Sequence, residues 1–423
     1  MTSPLRRATR WLAPWYSAYA LAGLLVNALV PMLIPLSVES QGPVAVAVVI
    51  SAFFVGQLTA PVIGSYADRT GRQRVVFLAA FPAMSVSAIG FGLADSLVWW
   101  IVAALVAGVS AGAAQTTGSV FIVEGHPPSE WDERIGWFRL TFGLGQVVGL
   151  AIGAVFADGN VDMGWYVGGA VIALGVVLGR FGLPHLSAPN NTGHHRVPVA
   201  GPPSLAPGAK SSVADDQPAG ASPHPSGGLA SELRGPFGRF LLTWLLAMVA
   251  VQTILNVMPL IMKHAFDVPP SSTATFYLVG SLAGALLYPV AGVLAARSTA
   301  ARALALGMVI TLAGFLLMTA TWLWHLPSEH LLGPAGLVLV AVGYPFNYVG
   351  ATMLAAELTL NGQGSAMGLF NSAVAAGAIV GAIAPSFLAG ALGYGALPPL
   401  AAGIMLVAML VRLPLLRRRP LPG

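Results

Sequence analysis

The chain has 423 residues, 56% of them hydrophobic and 8% charged. Soluble globular chains carry about 25% charged residues, so this one lacks the polar coat that a water-facing surface needs. It contains no cysteine, which excludes disulfides, thiolate catalysis and cysteine-ligated metal. The formal charge of +5 would suggest nucleic acid in a soluble protein, and here is tested first against the charge bias of membrane insertion.

Apolar stretches of transmembrane length recur along nearly the whole chain, and in lipid only helices or closed barrels satisfy the backbone. Unbroken runs such as VLVAVGYPFNYVGATMLAA predict helices, because barrel strands alternate apolar and polar residues. The first six spans are expected at roughly 11–36, 44–66, 74–94, 97–121, 135–157 and 163–183. The second six are expected at roughly 237–262, 272–295, 301–323, 331–356, 365–390 and 396–414. No cleavable signal peptide is expected, since the first apolar segment is long and lacks a small-residue cleavage site. Between the two sets lies a Pro-, Gly-, Ser- and Ala-rich tract without a periodic apolar face, which reads as a flexible linker. The division is therefore residues 1–183, an N-terminal six-helix half; 184–236, a cytoplasmic linker; and 237–423, a C-terminal six-helix half. Its histidines, including His194 and His195, are scattered without metal-site spacing.

With the N-terminus placed in the cytoplasm, every Lys and Arg except Lys263 falls on the cytoplasmic side or at a helix end facing it. That bias sets the orientation and leaves both termini cytoplasmic, in a multi-pass cell membrane protein of the bacterial inner-membrane type. Insertion accounts for the basic charge, and no nucleic-acid partner is required.

The two halves also repeat. APVIGSYADRTGRQR from Ala60 aligns with YPVAGVLAARSTAAR from Tyr288, placing Pro61 on Pro289, Gly64 on Gly292, Arg69 on Arg297 and Arg74 on Arg302. IGWFRLTFGLGQVVGLAIG aligns with AMGLFNSAVAAGAIVGAIA, placing Phe138 on Phe370, Gly145 on Gly377 and Gly149 on Gly381. Same-direction repeats of six helices build a substrate site between the halves near the bilayer midplane.

The segment GSYADRTGRQR between spans 2 and 3 closely resembles the G-x-x-x-D-R-x-G-R-x-R/K signature of the major facilitator superfamily. The residues make physical sense by themselves: Gly64 allows close helix packing, Gly71 permits a tight turn, and Asp68 can be flanked by Arg69 and Arg72. The resemblance implies a twelve-helix, all-α integral membrane fold in two six-helix pseudo-repeats. It also implies that Gly64, Asp68, Arg69, Gly71, Arg72 and Arg74 form a conformational latch between the halves. The second copy has Ala296 where Asp68 stands, so the latch is one-sided.

Gly145, Gly149 and Gly153 lie four apart in span 5 and favour close helix approach. The stretch is similar to the glycine-rich motif of the superfamily's drug:proton antiporters, although Leu150 stands where their proline would be and span 4 lacks their intramembrane arginine. Arg139, and the MPL at Met258 to Leu260, resemble bacterial sugar efflux transporters. Ionisable groups inside a membrane are functional candidates. Glu124, Arg139 and Glu357, all towards the cytoplasmic ends of their spans, are accordingly coupling or gating candidates, with helix capping as the alternative for the two acids.

Amides in hydrocarbon need partners or a wet cavity. The family resemblance implies cavity positions on spans 1, 4, 7 and 10, which selects Asn27, Gln115, Asn256, Asn347 and Tyr348; Gln57 and Gln146 read as helix bridges. GVSAG at Gly108 to Gly112 matches a nucleophile elbow in letters only, since it sits inside an apolar helix. No HExxH and no phosphate-cradling loop occurs, so neither an enzyme nor a metal or other cofactor is expected.

The functional expectation is a secondary transporter working by alternating access, an exporter of a small neutral or amphipathic molecule such as a drug, sugar or metabolite, with proton coupling left open. A monomer in the lipid bilayer suffices. The alternatives are an uncoupled facilitator or sugar efflux protein, and a non-transporting membrane sensor or partner protein.

Overall fold

The computed structural model describes residues 13–125, 131–181, 183, 234–326, 328–359 and 363–416. Within them are twelve helices long and apolar enough to cross a membrane. The N-terminal six are α1 (Tyr16–Gln41), α2 (Pro43–Thr70), α3 (Gln73–Leu93), α4 (Leu97–Gly125), α5 (Trp131–Phe156) and α6 (Val161–Arg180). The C-terminal six are α7 (Pro236–Leu255), α8 (Pro270–Arg297), α9 (Ala300–Trp324), α10 (Glu329–Leu358), α11 (Gln363–Leu392) and α12 (Leu397–Leu416). The bundle end carrying the α2–α3 turn is called the loop end, and the opposite one the far end.

Three helices depart from regular geometry where proline withholds a backbone donor. α1 contains a π-helical segment, Leu25–Leu29, around Asn27 and just before Pro31. α2 loosens at Leu58 and Thr59 ahead of Pro61. The seventh span, expected as one helix, instead breaks at Asn256 and Val257 and restarts as a separate helix, Met258–Phe266, with Pro259 in its first turn. Hydropathy runs smoothly through that break, which is why the sequence does not reveal it.

Helix pairing repeats between the halves. α1 packs on α5, α3 on α6 and α2 on α4; correspondingly α7 packs on α11, α9 on α12 and α8 on α10. The halves meet through α2 with α11 and α5 with α8, which exchange under the same repeat. The aromatic cores repeat too: Trp15 lies 5.3 Å from Phe138 between ring centroids, and the equivalent Trp244 lies 5.0 Å from Phe370.

Close approach of α1 to α5 depends on glycine. A Cβ on Gly145 would enter the backbone carbonyl of Ala20, which has no rotamer by which to yield. The turn after α2 depends on Gly71, whose φ of +63° is left-handed.

Candidate functional site

The middle of the bundle holds a polar chain that crosses from one half to the other. Asn27 Nδ2 donates to Gln146 Oε1 at 3.3 Å, and Gln146 Nε2 donates to the Ser281 hydroxyl at 3.0 Å. Tyr277 of α8 stands beside Gln146 and Ser281. In the C-terminal half, Asn256 occupies the position equivalent to Asn27 and donates to the carbonyl of Ala378 at 3.1 Å. Ala378 is the repeat equivalent of Gln146. The same contact is thus made twice, but only the N-terminal copy has a second amide to carry it onward across the interface.

Towards the loop end lies Arg139. It lies two turns into the helix that starts at Trp131 and in the first turn of its membrane-length apolar stretch, Trp137–Phe156. Arg139 is partly exposed and stands within electrostatic reach of the phenols of Tyr19 on α1, Tyr288 on α8, and Tyr344 and Tyr348 on α10. Phenols from both halves therefore lie within electrostatic reach of one cation. Tyr344 and Tyr348 stack 5.8 Å apart, and Tyr348 adjoins Phe370 and Trp244.

The far end is held by charge and hydrogen bonds between halves. Glu39, at the end of α1, accepts from Lys263 Nζ at 2.8 Å and lies 2.7 Å from His264 Nε2. The Asp158 carboxylate accepts from the backbone N–H of Ser271 at 2.8 Å and from its hydroxyl. Next to this, Gly153 of α5 faces Ala274 of α8.

The 64–74 turn sits at the loop end. Gly64 packs against Thr116 of α4, as close helix packing requires. Asp68, Arg69 and Arg72 are exposed. Asp68 accepts from Gln73 Nε2 at 3.4 Å and not from Arg69 or Arg72, while Arg72 reaches the Tyr66 hydroxyl at 3.5 Å; both contacts are long. Arg74 has an interaction of its own.

The remaining sequence candidates scatter. Asn347 is buried inside the C-terminal half, donating to the Thr311 hydroxyl at 2.9 Å, and Asn256 is buried against α11. In this conformation both make helix contacts. An amide satisfies the same need against a neighbouring helix as against water. Gln115 is half-buried on α4, and Glu357 is exposed at the loop end of α10. The side chain of Glu124 lies outside the described residues. Sequence reasoning left out Tyr19, Tyr277, Tyr288, Ser281 and Glu39. Tyrosine and serine carry little signal on an apolar helix, and Glu39 gains its meaning only from Lys263, 224 positions away.

The fold has close counterparts among solved structures. The nucleoside transporter NupG superposes with a TM-score of 0.68 at 13% identity, covering 96% of this chain and 98% of that one. The human organic anion transporter MFSD10 (TETRAN) superposes with a TM-score of 0.63 at 17% identity, covering 97% and 100%. A segment of 119 residues is 34% identical to myo-inositol transporter 2 of Cryptococcus neoformans var. grubii; it makes up 28% of this chain and spans about a fifth, 21%, of that relative. The family model of the Major Facilitator Superfamily matches residues 15–362 and, again, 240–423. With that match running through both halves and the helix pairing repeated in each, the chain belongs to the Major Facilitator Superfamily of membrane transporters.

Proposed function

We propose that the protein exports a small amphipathic organic molecule by alternating access, with the loop end in the cytoplasm. The observation that carries this reading is the contrast along the interface between halves. The far end is closed by Glu39 with Lys263 and by Asp158 with Ser271, while Arg139, Tyr288, Tyr344 and Tyr348 keep partial exposure towards the loop end. A site accessible from one side, at the junction of two repeats, is what a rocking cycle requires.

The 64–74 turn acts in the opposite state, where closure of the loop end would dock Asp68, Arg69 and Arg72 on the C-terminal half. The midplane chain from Asn27 to Ser281 is the pivot that persists through the motion. Glu124 and Glu357 are the positions at which proton coupling would act. The similar proteins, named as transporters of nucleosides, organic anions and myo-inositol, support a polar organic substrate over an inorganic ion.

The test is flux in everted membrane vesicles across a panel of nucleosides, sugars, dyes and organic acids, with and without a proton gradient, using Asp68→Asn as control. Gradient-driven accumulation lost in the variant supports the coupled exporter. Flux indifferent to the gradient supports the uncoupled facilitator. No flux for any compound counts for a non-transporting membrane partner and overturns the proposal.

A further inference from the structure

Among the described residues, one polar group on each of α1, α5 and α7 has no hydrogen-bond partner. Arg139 makes no hydrogen bond or ion pair among the described residues. The Tyr19 hydroxyl and Trp244 Nε1 are buried and unbonded, in side chains that are each 0% exposed. Tyr19 stands within electrostatic reach of Arg139, and Trp244 adjoins Tyr348, which does too. Arginine and tryptophan only donate hydrogen bonds, and a phenol can do so. The deficit is therefore one of acceptors. The described carboxylates do not supply it: Glu39 and Asp158 are engaged at the far end, and Glu357 is exposed at the loop end. A guanidinium inside a membrane protein is costly without countercharge, and water in an open site is a weak substitute.

We propose that Arg139, Tyr19 and Trp244 bind the oxyanion of a small organic acid, a carboxylate or a phosphate ester, whose planar apolar body lies against the Tyr344–Tyr348 pair. A guanidinium holds either group through two parallel hydrogen bonds. Phenol and indole donors approach from the other helices, and stacked rings offer a face for the apolar part. The expectation of a neutral ligand, read from the amides alone, changes because Asn27, Asn256 and Asn347 are bonded to protein groups. This inference deepens the transport reading and rests on it, since it names the cargo of that cycle.

Thermal unfolding of the purified protein is measured with benzoate, phenyl phosphate, inorganic phosphate and the neutral isostere benzamide, in chloride-matched buffer. Benzoate or phenyl phosphate is expected to raise the midpoint in a saturable way and benzamide is not; the stronger of the two identifies carboxylate or phosphate. Inorganic phosphate, lacking a ring, binds more weakly than phenyl phosphate. Arg139→Gln weakens the apparent affinity at least tenfold, Arg139→Lys weakens it less, and Tyr19→Phe weakens it several-fold. Equal binding of benzamide and benzoate by the unaltered protein overturns the assignment, as does undiminished anion affinity in Arg139→Gln. Far-end opening is followed separately by maleimide labelling of Leu260→Cys, in a chain with no other cysteine. Opening without anion binding overturns the ligand assignment and leaves the transport cycle standing. Anion binding without opening supports the ligand assignment and overturns the cycle.

Discussion

Glu39 and Lys263 lie 2.8 Å apart at the far end, joining the end of α1 to the helix that restarts after α7. Their side chains are 25% and 44% exposed, so solvent keeps the pair's worth to about 0.2–1 kcal/mol. A contribution of that size suits a gate, because about 1 kcal/mol alters a two-state ratio roughly fivefold without freezing it. Lys263→Met is therefore expected to speed maleimide labelling of Leu260→Cys several-fold, Leu260 being buried while the far end is closed. Raised salt should have the same direction of effect on the unaltered protein and a smaller one on the variant, which keeps only the Glu39–His264 contact. Unchanged labelling in Lys263→Met would show that the Glu39–Lys263 pair does not hold this end closed.

Gly145 and Gly143 sit two residues apart on α5 and make a controlled comparison. A methyl group at Gly145 would enter the Ala20 carbonyl, whereas at Gly143 it meets nothing within 4 Å. Gly145→Ala should destabilise by about 1–3 kcal/mol, the range for overpacking, because a backbone obstacle moves only if α1 moves. Gly143→Ala should be neutral or slightly stabilising, since alanine is the better helix former. The midpoints of thermal unfolding in detergent decide it: equal midpoints for the two variants would rule out glycine-dependent packing of α1 on α5.

The difference between these neighbours also shows how far a sequence can be read. The glycine period in α5 marks a close helix contact, and the hydropathy pattern places all twelve spans to within a few residues, because burying backbone in lipid leaves few alternatives. Gly64 and Gly71 likewise announce their own geometry. Rotation about each helix axis is different, since it is set by neighbours that the local pattern does not contain. Asn256 and Asn347 carry the same signal as Asn27, yet they bond within the C-terminal half while Asn27 enters the chain that crosses the interface. Arg139 is legible as an unusual intramembrane cation, but the tyrosines within electrostatic reach of it come from α1, α8 and α10 and become a site only in three dimensions.

Gln146 and Ser281 share a bond of the midplane chain that passes directly from α5 to α8. A double-mutant cycle with Gln146→Leu and Ser281→Ala should give a coupling of about 0.6 kcal/mol, and no more than about 1.7, the range for hydrogen bonds between membrane helices. Gln146→Leu alone should cost more than the coupling, since it also strands the Asn27 amide in an apolar setting. A coupling of zero would mean that water replaces the bond readily, and that the pivot is packing between α5 and α8.

Asp68 separates stability from function. Here its carboxylate is exposed and accepts one long bond from Gln73, on its own half of the molecule. Asp68→Asn should therefore leave the unfolding midpoint of this conformation within about 0.5 kcal/mol of the original, as for surface substitutions generally. If the 64–74 turn stabilises the opposite state, the same variant should lower flux several-fold and leave α1–α5 packing intact, because it removes a contact made only after the loop end closes. Ala296→Asp, which restores the acid to the second copy of the motif, should not rescue it, since that position lies on the other half. An unfolding midpoint that falls together with flux would instead make Asp68 a structural residue of the α2–α3 turn, and the latch assignment would be lost.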